Sequence, residues 1–222
     1  LAAFEGDHGT PEKALAALAP LVGGAARNPP VAAAQARALA AALERAPRLA
    51  AAHVARADLL LARGDLAGAE QSYRRAAELD GSEAAALVGL ARAADRRGDA
   101  AGARAALERA LRIAPRLGSA QAAYGELLWR AGDRAGAKRA LAQAVAADPR
   151  DAAARGRLGA AELELGEVDA AVSDLLAASN QEMGSAEIRS WYGRALMAKG
   201  ELPAAIEQLK KAVELEPRRA DH

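Results

Sequence analysis

The residues best equipped for chemistry are few and scattered. The three histidines, His8, His53 and His222, are far apart and fall in no metal-ligand spacing. Cysteine is absent, which excludes disulfides and thiolate metal sites and leaves the redox compartment open. No HExxH, GxSxG or phosphate-loop glycine–lysine pattern occurs. His53 reads as a packing or surface group, and Asp7-His8 in its glycine-rich loop is weaker still as a catalytic base. Neither an enzyme nor a cofactor is therefore expected. One tripeptide could carry recognition: RGD stands at Arg63-Gly64-Asp65 and again at Arg97-Gly98-Asp99. It is either an adhesion signal shown twice or a turn built twice.

Composition narrows the partners. Basic and acidic residues number 30 and 29, giving a net charge of +1. Nucleic-acid binders owe most of their affinity to a basic excess, so no nucleic-acid partner is expected. The longest uncharged stretch, Ala14 to Ala26, holds Pro20 and Gly23-Gly24 and is too short to span a membrane. The chain opens at Leu1 with no basic-then-apolar leader pattern, and reads as a fragment or a processed chain. Hydrophobic residues make up 52% but aromatics only 3%, the balance being mostly alanine. Such a chain favours thin helices packed close together.

The elements that hold these residues repeat. Gly64, Gly98, Gly132, Gly166 and Gly200 are spaced by 34, and each precedes an acid: Asp65, Asp99, Asp133, Glu167 or Glu201. In the same register stand Ala69, Ala103, Ala137, Ala171 and Ala205, then Tyr73, Leu107, Leu141, Leu175 and Leu209, then Ala76, Ala110, Ala144, Ala178 and Ala212. Upstream of each glycine is a small residue: Ala57, Ala91, Gly125, Gly159 or Gly193. Just before it stand Arg56, Leu90, Tyr124, Leu158 and Tyr192, with Arg56 the exception. Pro115, Pro149 and Pro217 close three of the copies.

The physics of one copy is a helical hairpin. Residues 50–63 and 67–79 are apolar at helical spacing. The glycine ends the first helix in a backbone conformation costly for other residues, and the acid after it can accept from free N–H groups of the second. Small residues let the two helices approach, and the proline stops the second. So small a hairpin cannot bury its own face and must stack on its neighbours.

These columns resemble the tetratricopeptide repeat, over residues 50–219 in copies 50–83, 84–117, 118–151, 152–185 and 186–219. The steady period and neutral charge disfavour the RNA-reading pentatricopeptide repeat. The resemblance implies an all-α fold, a right-handed α-solenoid of stacked helix–turn–helix units with a concave groove lined by first helices. Residues 1–49 would form an irregular helical pair, 11–22 and 31–46, with Leu1 to Phe4 ending a preceding helix and 220–222 a tail. The family implies a non-enzymatic interaction scaffold that binds a partner segment in the groove. The alternative is the repeat region of a larger enzyme or of an export or secretion machine. The vocabulary is bacterial in character, and either cytoplasm or periplasm fits.

Carried over by position, the family's groove columns place Arg92, Arg96, Glu126, Trp129, Arg130, Leu163, Arg194 and Met197 on the binding face. Trp129 with Arg92, Arg96 and Arg130 suits a peptide or protein partner bearing acidic residues or a carboxylate. The bland reading is that Asp58, Arg92 and Glu126 form a ladder of ion pairs and that Trp129 is packing. The carboxylate clamp of some co-chaperones is absent, since the fifth column has no lysine and the sixth reads Ala55, Gly89, Ala123, Arg157, Trp191.

Three further expectations follow. The last helix, 203–216, should leave an apolar edge at Ile206, Leu209 and Val213, inviting self-association. The fourth copy should drift on its solvent side, in the tail Ser179 to Ser185 and at Glu162, which sits in an otherwise apolar column; the alternative is a local contact for a partner, or a bend in the superhelix. RGD should be a turn, since only its glycine and acid recur: Gly98→Val should destabilise the hairpin, whereas Arg97→Ala should be nearly silent in both stability and cell adhesion.

Overall fold

The computed structural model describes residues 29–80 and 84–216, with backbone only for 29–35. The expected helix 11–22 and the segment Leu1 to Phe4 lie outside the described residues. Eleven helices and no strand occur among the described residues: α1 (Pro29–Arg45), α2 (Ala50–Ala62), α3 (Leu66–Leu79), α4 (Ala84–Arg96), α5 (Ala100–Ile113), α6 (Gly118–Arg130), α7 (Arg134–Ala147), α8 (Ala152–Glu164), α9 (Val168–Gln181), α10 (Ala186–Lys199) and α11 (Leu202–Leu215). The fold is an all-α solenoid of consecutive helix pairs. It divides into two compact units, Leu1–Ala114 and Pro115–His222.

Each pair turns in the same way. All five repeat glycines are left-handed, with φ from 79° to 87°. That conformation lets the N–H after the glycine reach back to the carbonyl five residues earlier, as from Asp133 to Leu128 at 3.0 Å, closing the orphan carbonyls of the helix end. Asp65, Asp99 and Asp133 then cap the next helix, accepting from the N–H of Gly68, Gly102 and Gly136 at 2.8–2.9 Å. Glu167 and Glu201 make no such bond, contrary to the expectation for the whole column. The extra methylene carries their carboxylates past the N–H groups and toward lysines: Lys138 for Glu167, and Lys199 at 3.3 Å for Glu201.

In the first unit the core pairs bulk with absence. Tyr73 stands where other copies have leucine and is fully buried. Gly89 on α4 faces its ring, and a Cβ there would overlap the ring carbons. The Tyr73 hydroxyl donates to Asp58. Burial and then that bond hold the phenol well above its ordinary range. Arg97 is not idle: it pairs with the carboxylate of Glu70, which is buried and also held by Arg74. The silent Arg97→Ala is thus corrected, since removing it would leave a buried charge with one partner fewer.

In the second unit the first-helix glycines face a leucine of their own pair instead. A Cβ on Gly125, Gly159 or Gly193 would lie 2.6–2.7 Å from Cγ of Leu141, Leu175 or Leu209 on the partner helix. These close approaches are what the small column provides. Leu141 and Leu175 are fully buried. Ile206 and Val213 on α11 are about half exposed, 53% and 51%, whereas Leu209, the third residue expected at that apolar edge, is half-buried against Gly193.

Two details of the fourth copy depart from expectation. The tail is as expected only beyond Ser179: residues 180–184 are exposed, but α9 runs through Gln181 and buries Ser179. Arg189 then fastens the remaining connection by donating to the carbonyl of Met183 at 2.9 Å. Glu162 is not on the solvent side; it is 6% exposed. Its column faces the partner helix, so the carboxyl goes where leucine goes in the neighbouring copies.

Candidate functional site

In the second unit α8 packs against both α6 and α10, so three first helices share one face. Trp129, near the end of α6, and Trp191, within α10, meet across α8. Their ring centroids are 5.8 Å apart and the planes cross at 86°, an edge-to-face pair. Each ring carries a guanidinium at 4.0 Å: Arg134 over Trp129 and Arg194 over Trp191. Arg134 is fixed from two sides, donating to the Trp129 carbonyl and to Glu164 at the end of α8.

A charge ladder crosses the same face. Arg157 on α8 pairs with Glu126 on α6 at 2.6 Å and reaches Glu187 on α10 at 3.8 Å. Arg130 lies one turn from Glu126, 3.7 Å away. Of the ladder expected through Asp58, Arg92 and Glu126, two members have other partners. Asp58 takes the Tyr73 hydroxyl and Glu126 takes Arg157. The side chain of Arg157 comes from a different column, which brings it level with the acids on either side.

Of the eight residues expected on the binding face, six lie in this unit: Glu126, Trp129 and Arg130 on α6, Leu163 on α8, Arg194 and Met197 on α10. Leu163 is half-buried against the cluster that also receives Trp191 and Tyr192. Met197 is 51% exposed. The other two, Arg92 and Arg96, are on α4 in the first unit. Arg96 donates to the Leu61 carbonyl at 2.7 Å, closing the end of α2, so part of its donor capacity is spent within the fold.

Beside Trp191 an open pocket of about 360 Å³ lies between α10 and α11, lined by Glu187, Ser190, Trp191, Arg194, Leu209 and Val213. Trp191, Arg134, Arg157 and Glu164 are additions to the expected site residues. The signal for two of them is present in the sixth column, where small residues give way to Arg157 and Trp191. Among the described residues no group of three or more His, Asp or Glu is arranged to hold a metal, and no helix is long and apolar enough to cross a membrane.

Comparison with known proteins agrees with this architecture. Family models described as tetratricopeptide repeat match residues 24–84, 54–117, 123–182 and 186–219. No curated protein matches the chain. Among solved structures, the chain is similar to YrrB, described as a TPR protein with an unusual peptide-binding site: 28% identity, TM-score 0.64, covering 82% of this chain and 94% of that one. Two others share the fold at lower identity. MamA from Desulfovibrio magneticus RS-1 is 22% identical with TM-score 0.64, covering 76% of this chain and 96% of that one. TTC0263, a thermophilic TPR protein from Thermus thermophilus, is 21% identical with TM-score 0.66, covering 84% and 99%. No catalytic family is indicated, and proteins of the matched kind are in general non-catalytic interaction modules. By its repeat columns, its left-handed glycine turns and these matches, the chain belongs to the tetratricopeptide repeat family.

Proposed function

We propose that this protein is a non-enzymatic scaffold that holds a partner segment on the face of α6, α8 and α10. The Trp129–Trp191 pair and the adjoining pocket form the apolar anchor. Arg194 and Arg130 supply donors to acidic groups of the partner, and Met197 adds adaptable contact area. One observation carries the reading. The chain has only two tryptophans, and both converge on this face although the repeat columns require neither. Large aromatic and arginine side chains at a solvent-facing cluster are the usual composition of a binding hot spot. YrrB, with its peptide-binding site, makes a peptide-like segment the natural occupant.

The test is affinity capture on the immobilised chain, comparing wild type with an Arg194→Ala, Met197→Ala double variant. Both side chains are exposed, so the fold is expected to keep its unfolding midpoint. A captured protein whose recovery drops at least tenfold with the variant supports the reading; equal recovery contradicts it. A second reading, self-association through α11, is favoured by the exposure of Leu202, Ile206 and Val213. It predicts a concentration-dependent sedimentation coefficient that Ile206→Lys abolishes.

A further inference from the structure

We propose that Glu162 makes the α8–α9 contact a proton-operated joint, seated when its carboxyl is neutral and loosened when it ionises. The geometry is that of a carboxyl in a leucine site. The matching positions of the adjacent copies are Leu128 and Leu196, both buried, and Glu162 is equally buried. Its Oε2 is shut off from solvent and has no hydrogen-bond partner. An ionised carboxylate so placed loses its hydration with little in return, whereas a neutral carboxyl loses far less.

The surroundings do not rescue the charge. From α9, Asp174 faces Glu162 and repels it. Arg155, on α8 itself, is turned to Asp174 at 3.0 Å and to the Pro149 carbonyl at 3.2 Å, and so stabilises the other acid. From α7, Lys138 attracts Glu162, but it is paired with Glu167 in the turn, and Glu167 repels Glu162. From α6 and α10 the charges Glu126 and Glu187 point to Arg157. Burial first, then Asp174, lift the Glu162 carboxyl from 4.5 to about 7.

The direction of the switch follows from linkage. The folded-state value lies above the unfolded one, so the folded protein holds the extra proton between them. Stability from the neutral form is fully present below about pH 4.5 and is lost as pH rises through about 7. The consequence is local. The α8 helix carries Arg157 and Glu164, whose partners are on α6, α7 and α10, so loosening its seat on α9 slackens the contacts around the tryptophan pair. The joint stands or falls without the partner-binding reading, because its test needs no partner.

The experiment is hydrogen exchange on the full chain between pH 5 and 8.5, with rates corrected for intrinsic chemistry. Wild type is expected to lose protection in α8 and α9 on the order of 50-fold across this range, beyond any change in α6 and α7. Glu162→Gln and Glu162→Leu should flatten the trend, and Asp174→Asn, which removes a repelling charge, should shift it to lower pH. The leucine variant matches the neighbouring copies and keeps the test open if the glutamine variant folds poorly. A wild-type profile without a pH trend in α8 and α9, or the same trend in the Glu162 variants, overturns the proposal.

Discussion

The α6–α7 and α8–α9 pairs solve the same packing problem and differ at a handful of positions. In both, a glycine on the first helix admits a leucine of the second: Gly125 with Leu141, Gly159 with Leu175. In both, a left-handed glycine makes the turn. Against that shared frame α6–α7 has Leu128, an aspartate cap and Trp129, while α8–α9 has Glu162, an uncapping glutamate and Leu163. The lesson is that the fold is held by a few columns of volume and backbone conformation. The other columns are free to carry charge and aromatic surface, and the residues that distinguish one copy from another accumulate there.

The comparison breaks first at the shared frame. Gly125→Leu and Gly159→Leu should each cost about 3 kcal/mol, because even the first added carbon meets both a leucine side chain and a backbone carbonyl of the partner helix. Urea unfolding measures this, and a loss confined to one site would show that the columns are not equivalent. Next in size is a transplant. Leu128→Glu should cost about 2 kcal/mol or more at pH 8, and less at pH 5, where the buried carboxyl stays protonated. Glu162→Leu should do the reverse, stabilising at pH 8 and changing little at pH 5. The smallest effect lies in the turns. Asp133→Ala should cost about 1 kcal/mol by removing the bond to the Gly136 N–H, while Glu167→Ala should cost a few tenths, since no cap bond is lost.

The frame is legible in the sequence because repetition exposes it. Five left-handed glycines, the alanine column and the leucine column align without any structure, and the helix bounds follow within a residue or two. What repetition does not expose is a contact between unlike columns. Trp129 and Trp191 come from different positions in copies that are not adjacent, so no alignment sets them side by side. Arg97 reads as idle in the sequence because not every copy keeps a basic residue there, yet it reaches Glu70, a partner that belongs to the neighbouring copy alone. Glu162 stands out as an exception in its column, but the solvent position expected for it fails. An acid in a column whose other members are apolar and mostly buried is better read as a buried acid, whose cost can be borne by taking up a proton. Capping fails at Glu167 and Glu201 for a simpler reason: acid charge recurs, but side-chain length does not.

The central claim is that the face of α6, α8 and α10 is where a partner sits. Trp129 and Trp191 are the only tryptophans of the chain, so its indole emission reports on that face alone. The most direct measurement is titration of the purified chain with a protein captured on it, following tryptophan emission beside calorimetry. The account predicts a saturable change in emission with the calorimetric affinity, reduced in both Trp129→Phe and Trp191→Phe. Heat of binding with unchanged emission from both indoles would contradict it.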